Sequence, residues 1–239
     1  MMGLILFCPT LVGAVLPLPA GENGIGFDIS GGITLNSGNS NQTVINGGYN
    51  FAYQQNSFGY QSKLELFYGQ NDGITQVSNG TWEHSLIHTL NKRLNLSGNL
   101  GIEYDRVAQI ASRTSMDIGV LYKISQSKKN KASLSATVRG EILNGMGDTE
   151  DKTGARLVLG ISNEHSFSDT ASFKFNCQYT PSIIDPFNDY RLELQSSLSV
   201  LTKRPVWLTL KVRERFNSQP LDDVKQNDLT LVTALTLSF

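Results

Sequence analysis

The stretch Leu229–Phe239, LTLVTALTLSF, decides how the whole chain is read. Leu229, Leu231, Leu235, Leu237 and Phe239 fall on odd positions, whereas Thr230, Ala234, Thr236 and Ser238 fall on even ones. That period of two marks a strand with one apolar and one polar face. A strand of this kind that runs to a large aromatic needs a medium other than water for its apolar side.

Working back along the chain, the same kind of segment recurs about twelve times. Strands are predicted near 25–36, 42–55, 58–70, 79–91, 94–106, 113–125, 131–143, 154–166, 170–180, 188–200, 205–217 and 227–239. The links between them alternate in size. Short ones are NS after Gln55, KR after Asn91, QSKKN, FSDT and LTKRP; longer ones are NDGITQVSN, AQIASR, NGMGDTEDKT, PSIIDPFND and SQPLDDVKQ. Strict alternation of short turns and longer loops is the connectivity of an up-and-down antiparallel barrel that spans an outer membrane.

The faces follow from the alternation. Ile25, Phe27, Ile29, Ile33 and Leu35 oppose Gly26, Asp28, Ser30, Thr34 and Asn36, and Val206, Leu208, Leu210, Val212 and Phe216 oppose Thr209, Lys211, Arg213 and Arg215. Leu134, Ala136, Val138 and Ile142 stand likewise against Ser133, Ser135, Thr137, Arg139 and Glu141. A lipocalin-like barrel would show the same pattern with its apolar face inward. Twelve strands enclose a lumen too wide for a dry core, so the apolar face is assigned to lipid. The fourth strand fits least well, because His84 and His88 share the face of Trp82, Leu86 and Leu90.

Aromatic residues give a second indication of membrane placement. With the first strand rising from the periplasm, Tyr68, Trp82, Tyr104, Tyr179, Tyr190 and Phe216 are expected at the outer rim. Phe27, Tyr53, Phe58, Tyr60, Tyr122, Phe173 and Phe239 are expected at the inner one. Two girdles bounding an apolar band are what amphipathic rings form at two interfaces. Leu235, Leu237 and Phe239 then form a closing strand whose aromatic end resembles the C-terminal signal read by outer-membrane assembly machinery.

Composition excludes other classes. The 239 residues are 39% hydrophobic and 17% charged with a formal net charge of -1, which suits neither a disordered chain nor a nucleic-acid binder. The short SKKNK at 127–131 reads as a solvated turn. Residues 1–20 read as a secretory signal with cleavage after Ala14 or Ala20, although no Lys or Arg stands near Met1; the barrel domain is then 21–239. Cys8 would leave with the signal. Cys177 would remain as the one cysteine, which rules out an internal disulfide or a thiolate zinc cluster.

The glycines of GENGIGFDISGG lie before or within a strand, where they relieve barrel crowding rather than cradle phosphate. His84 and His88 would share a helix face, but on a strand they stand about 13 Å apart at roughly 3.3 Å per residue, too far for one ion. A lipid-facing His beside a Ser could serve as the general base of an outer-membrane lipid hydrolase, which is the alternative to a non-enzymatic barrel. A secreted soluble β-protein is the third reading. No catalytic residue, cofactor or metal is assigned.

The inward charges are the better lead. Glu83, Glu103, Asp105 and Asp117 fall on strands four to six, and Arg191, Lys211, Arg213 and Arg215 on strands ten and eleven. In a ring of twelve, strand five faces strand eleven. Two readings are open: opposed walls of opposite sign that set a field across a water-filled pore, or side chains that pair with neighbours, including Arg139, Glu141, Arg156 and Glu193, and fill a narrow barrel.

Four stretches carry a family resemblance: GGITLNSGNSNQTVINGGYNFAYQ (31–54), YGQNDGITQ (68–76), YTPSIIDPFNDYRLELQSSLSV (179–200) and RERFNSQPLDDVKQNDLTLVTALTLSF (213–239). Together they resemble the domain of unknown function 481 family, whose members are often labelled salt-induced outer membrane proteins. The resemblance implies a Gram-negative outer-membrane barrel and assigns no activity. The expectation is a monomeric barrel with lipid around it and the assembly machinery as partner, acting as a narrow passive pore or an envelope-integrity protein.

Overall fold

The computed structural model describes residues 23–36, 42–71, 74–147, 151–221 and 224–238. The proposed signal at 1–20, the Ser37–Ser40 turn and Phe239 lie outside the described residues. Twelve antiparallel strands follow one another around a closed barrel: β1 (Gly24–Asn36), β2 (Gln42–Gln55), β3 (Phe58–Asn71), β4 (Ile74–Thr89), β5 (Leu94–Asp105) and β6 (Ile110–Gln126). The second half comprises β7 (Asn130–Gly145), β8 (Lys152–Ser168), β9 (Ala171–Pro181), β10 (Tyr190–Lys203), β11 (Val206–Asn217) and β12 (Asn227–Ser238). No helix is present among the described residues.

The core is inverted. Met116, Ile118 and Val138 are 69%, 65% and 50% exposed on the outer wall, whereas Glu103, Asp105, Asp117, Glu141, Gln195 and Arg213 are buried on the inner one. Lipid requires this arrangement, because only a closed ladder satisfies every backbone group within a bilayer while apolar side chains meet the acyl chains. Among the described residues the buried hydrophobic side chains are Ile110, Leu143 and Val158.

At one end the turns are tight. Asn56 takes a φ of 52° between β2 and β3, the left-handed conformation that the first central position of a two-residue hairpin turn demands and that Asn tolerates. The other end carries the longer connections 182–189 and 218–226. One predicted loop is a correction. Residues 71–79 were read as a loop, yet β4 starts at Ile74 and pairs with β3 up to Asn71↔Ile74, with a bulge between Gly69 and Gln70. Pairing with β3 outweighs the loop-like composition of residues 74–79.

The extra length of β4 also moves Trp82. It pairs with Leu64 near the middle of β3 and so sits at mid-height rather than at the outer rim. Tyr179, Tyr190 and Phe216 do gather at the long-loop end, with successive ring centroids 5.7 Å apart.

The seam that closes the barrel is short. β1 and β12 pair at Asp28↔Ser238, Ile29↔Leu237, Ser30↔Thr236 and Gly31↔Leu235 among the described residues. By contrast, β1 and β2 are paired from Gly24↔Gln54 to Asn36↔Gln42.

Candidate pore and its charge network

Alternation on each strand aims charged side chains into the lumen, and register decides which of them meet. Thr81↔Glu103↔Arg113 form one cross-strand row over β4, β5 and β6, and Asn99↔Asp117↔Arg139 form another over β5, β6 and β7. Glu103 and Asp117 thus each have a base on the adjoining strand. Arg113 Nη1 donates to Glu103 Oε2 at 2.6 Å, and Arg139 grips both oxygens of Asp117 at 2.7 Å each. Such bidentate guanidinium contacts are the strong form of the charge-assisted hydrogen bond.

The facing wall is built in the same way. Arg213 Nη2 lies 2.7 Å from Glu193, and Arg191 donates through both Nη atoms to Glu141 at 2.9 Å. Glu141 also accepts from Arg156 Nε at 2.8 Å, and Arg156 Nη2 reaches Asp189 in the loop after β9 at 2.8 Å. Lys211 stands 3.5 Å from Glu65, which Lys63 also approaches at 3.5 Å.

Contacts also join strands that are not neighbours in the ring, and the one from Arg215 spans the widest separation, between opposite strands. Arg215 on β11 reaches Glu103 on β5 at 3.3 Å and Asp105 at 3.5 Å. Asp105 is held in place by the backbone N–H groups of Val107 and Ala108, each donating to its Oδ1 at 3.0 Å. Twelve strands about 4.8 Å apart and tilted by about 40° would put opposite walls of a circular barrel roughly 24 Å apart. An extended Arg reaches roughly 7 Å and a Glu roughly 5 Å from their Cα atoms at about 1.5 Å per bond, so these walls approach to about 15 Å or less. The barrel is oval at this level.

Of the residues expected in the lumen, Glu103, Asp105, Asp117, Arg191, Lys211, Arg213 and Arg215 take part in the ion pairs above, and Glu83 lies opposite Lys63 on β3 and Gly101 on β5. The structure brings Glu103, Asp105 and Arg215 together. It does not segregate the walls by sign, because Arg113 and Arg139 interleave the acids and Glu193 interleaves the bases. Lys63, Glu65, Arg113 and Asp189 were missed. Lys63 and Glu65 alternate with Leu64 and Leu66, a period of two that would have revealed them. Arg113 was lost to a strand start placed on it, when β6 in fact begins at Ile110.

A cavity of about 150 Å³ opens in the lumen toward the long-loop end, lined by Glu83, Gly101, Arg113, Ser115 and Arg139 and roofed by Pro220, Leu221 and Val224 of the β11–β12 loop.

His84 and His88 lie on the outer wall, as the alternation requires. Ser62 is the cross-strand partner of His84, but its hydroxyl is 3.1 Å from Tyr49 Oη and 3.3 Å from the Trp82 Nε1 donor. His84 Nδ1 is instead 2.7 Å from Tyr60 Oη. His88 pairs with Phe58 and Leu96. No group of three His, Cys, Asp or Glu that could hold a metal occurs among the described residues. Leu235 and Leu237 face outward on the closing strand, 53% and 39% exposed.

Sequence comparison bears on this geometry directly. The family described as "Protein of unknown function, DUF481" matches residues 29–239. The chain belongs to the DUF481 family. No curated protein matches it in sequence. The fold of this DUF481 barrel is similar to that of the COG4313 outer membrane channel from Pseudomonas putida F1, with a TM-score of 0.52 and 11% identity over 90% of this chain and 94% of that one. It is also similar to the KdgM porin in complex with disordered oligogalacturonate, with a TM-score of 0.50 and 10% identity over 90% and 99% of the two chains. At these identities the likeness is one of fold, a twelve-stranded barrel of the outer-membrane type.

Proposed function

We propose that this DUF481 protein is a non-enzymatic, monomeric outer-membrane barrel of a Gram-negative envelope that works as a narrow passive pore for small polar solutes. The observation that carries the reading is the Arg215 clamp on Glu103 and Asp105, which spans a polar lumen and narrows it to a hydrated slot. A lumen filled by interleaved ion pairs screens solutes by size and dipole rather than by net charge. The outward Leu235 and Leu237, with Phe239, serve as the mark by which assembly machinery accepts the chain. Ser62 gives the hydrolase alternative little support, since its hydroxyl is committed to Tyr49 and Trp82.

The test is conductance in planar bilayers. Wild-type protein is expected to show small, weakly selective events, and Arg215→Gln is expected to raise unitary conductance severalfold. Wild-type events that are large, or that do not respond to Arg215→Gln, would overturn the constriction. Complete silence of both proteins would overturn the pore itself.

A further inference from the structure

Within the cavity, one cross-strand row is unlike its neighbours. Glu83, Gly101, Ser115 and Glu141 follow one another on β4 to β7, so that a glycine and a serine separate two carboxylates, the second of them held by Arg156 and Arg191. The vacated space is tight at its floor, where a Cβ on Gly101 would come within 2.8 Å of Ser115 Oγ. Arg113 stands above this niche and Arg139 beyond it, both lining the same cavity as Glu83.

The charges around the niche are unequally engaged. Arg113 uses Nη1 on Glu103, and Arg139 uses Nε and Nη2 on Asp117, which leaves Arg113 Nη2 and Arg139 Nη1 over. Glu83 takes part in none of the ion pairs described above. Lys63, its cross-strand neighbour on β3, is paired to Glu65. The niche therefore offers acceptor oxygens on one side and guanidinium donors on the other. Two strand spacings, roughly 10 Å at about 4.8 Å each, separate the backbones that carry Glu83 and Ser115.

We infer that this niche is a binding site for a small zwitterion, a molecule with one cationic group and one carboxylate. Its cationic group lies against Glu83, and its carboxylate takes the free donors of Arg113 and Arg139. A lone anion would meet Glu83 as well as the arginines, and a lone cation would meet the arginines as well as Glu83. Only a ligand that carries both signs satisfies both sides, which is how unpaired charge in a site confers selectivity. The cavity's 150 Å³ has room for a ligand of a few heavy atoms. The inference rests on the lumen being water-filled, as the pore reading holds.

Titration calorimetry on the folded, detergent-solubilised full chain tests it with four probes: glycine, sodium acetate, methylammonium chloride and glycerol. Glycine is expected to bind saturably and at least tenfold more tightly than each of the others. Gly101→Val, which fills the niche without touching a charge, and Glu83→Gln are each expected to weaken glycine at least tenfold. The gel mobility of unheated samples reports whether each variant is folded. Absence of saturable glycine binding to wild type, equal binding of acetate or glycerol, or retention of glycine by folded Gly101→Val would overturn the site. Binding in detergent is independent of conductance, so a silent bilayer with intact glycine binding would reject the pore and keep the site. The opposite pattern would reject the site and keep the pore.

Discussion

Arg215 and Glu103 meet at 3.3 Å from strands that stand opposite each other in the ring. Because Glu103 is also held by Arg113 at 2.6 Å, the contact ties both long walls of the oval into one network. A double-mutant cycle with Arg215→Gln and Glu103→Gln should return a coupling energy of about 0.5–3 kcal/mol, the range for groups within one network. Unfolding in urea, followed by the loss of the fast-migrating gel species, supplies the four stabilities. Strict additivity would mean that the two side chains do not act on each other in the folded barrel.

Glu141 accepts from both Arg156 and Arg191. Glu141→Gln leaves two guanidinium groups with a neutral partner and should lower stability by about 3 kcal/mol, near the bottom of the range for breaking a buried pair. Glu164 faces Lys174 at the looser distance of 3.7 Å, and Glu164→Gln should cost less than Glu141→Gln. Urea midpoints of the two variants measured side by side check the ranking; a larger loss for Glu164→Gln would refute it.

Ile118 is 65% exposed near the centre of β6 and points outward, whereas Ser115 on the same strand points inward. Ile118→Arg should cost about 2–4 kcal/mol, as charges on the lipid face of a barrel do at mid-depth. Ser115→Arg should be better tolerated by the fold while narrowing the niche over Gly101. Folding yield into phospholipid vesicles distinguishes the two, and equal tolerance at both positions would contradict the assignment of faces.

Trp82 donates to Tyr49 and Ser62 and packs edge-on against His84 with ring centroids 4.5 Å apart. His84→Ala should therefore shift the emission of Trp82, one of two tryptophans in the chain, and leave phospholipid intact in the presence of either protein. Fluorescence together with a fatty-acid release assay provides the check. Hydrolysis by the wild type that disappears in His84→Ala would restore the enzymatic reading, since losing a general base costs about 10²–10⁴-fold.

Much of the barrel was legible because lipid imposes a rule that each strand must obey separately. The alternation in Leu229–Leu237 or Val206–Phe216 carries its own face assignment, with no need to know what lies beside it. The start of β4 was not legible, because Asn71 to Asn79 has the composition of a loop and only pairing with β3 extends the strand through it. Trp82 was misplaced in height for the same reason. Inward charges could be named from the pattern, but their partners could not. Which carboxylate Arg215 meets depends on how far the cylinder is flattened, a property of all twelve strands together. Glu65 shows the same limit, since Lys211 comes to it from β11.

The short seam bears on how such a cylinder is made. Every other ladder joins strands adjacent along the chain and can zip as a local hairpin, but Asp28 and Ser238 can meet only after everything between them is in place. The loop-closure entropy of the whole ring thus falls on one late event, and among the described residues that event is rewarded by four residue pairs. A stitch added at the junction of the first and last strands is therefore expected to act on the closing step while leaving the hairpins that precede it unchanged.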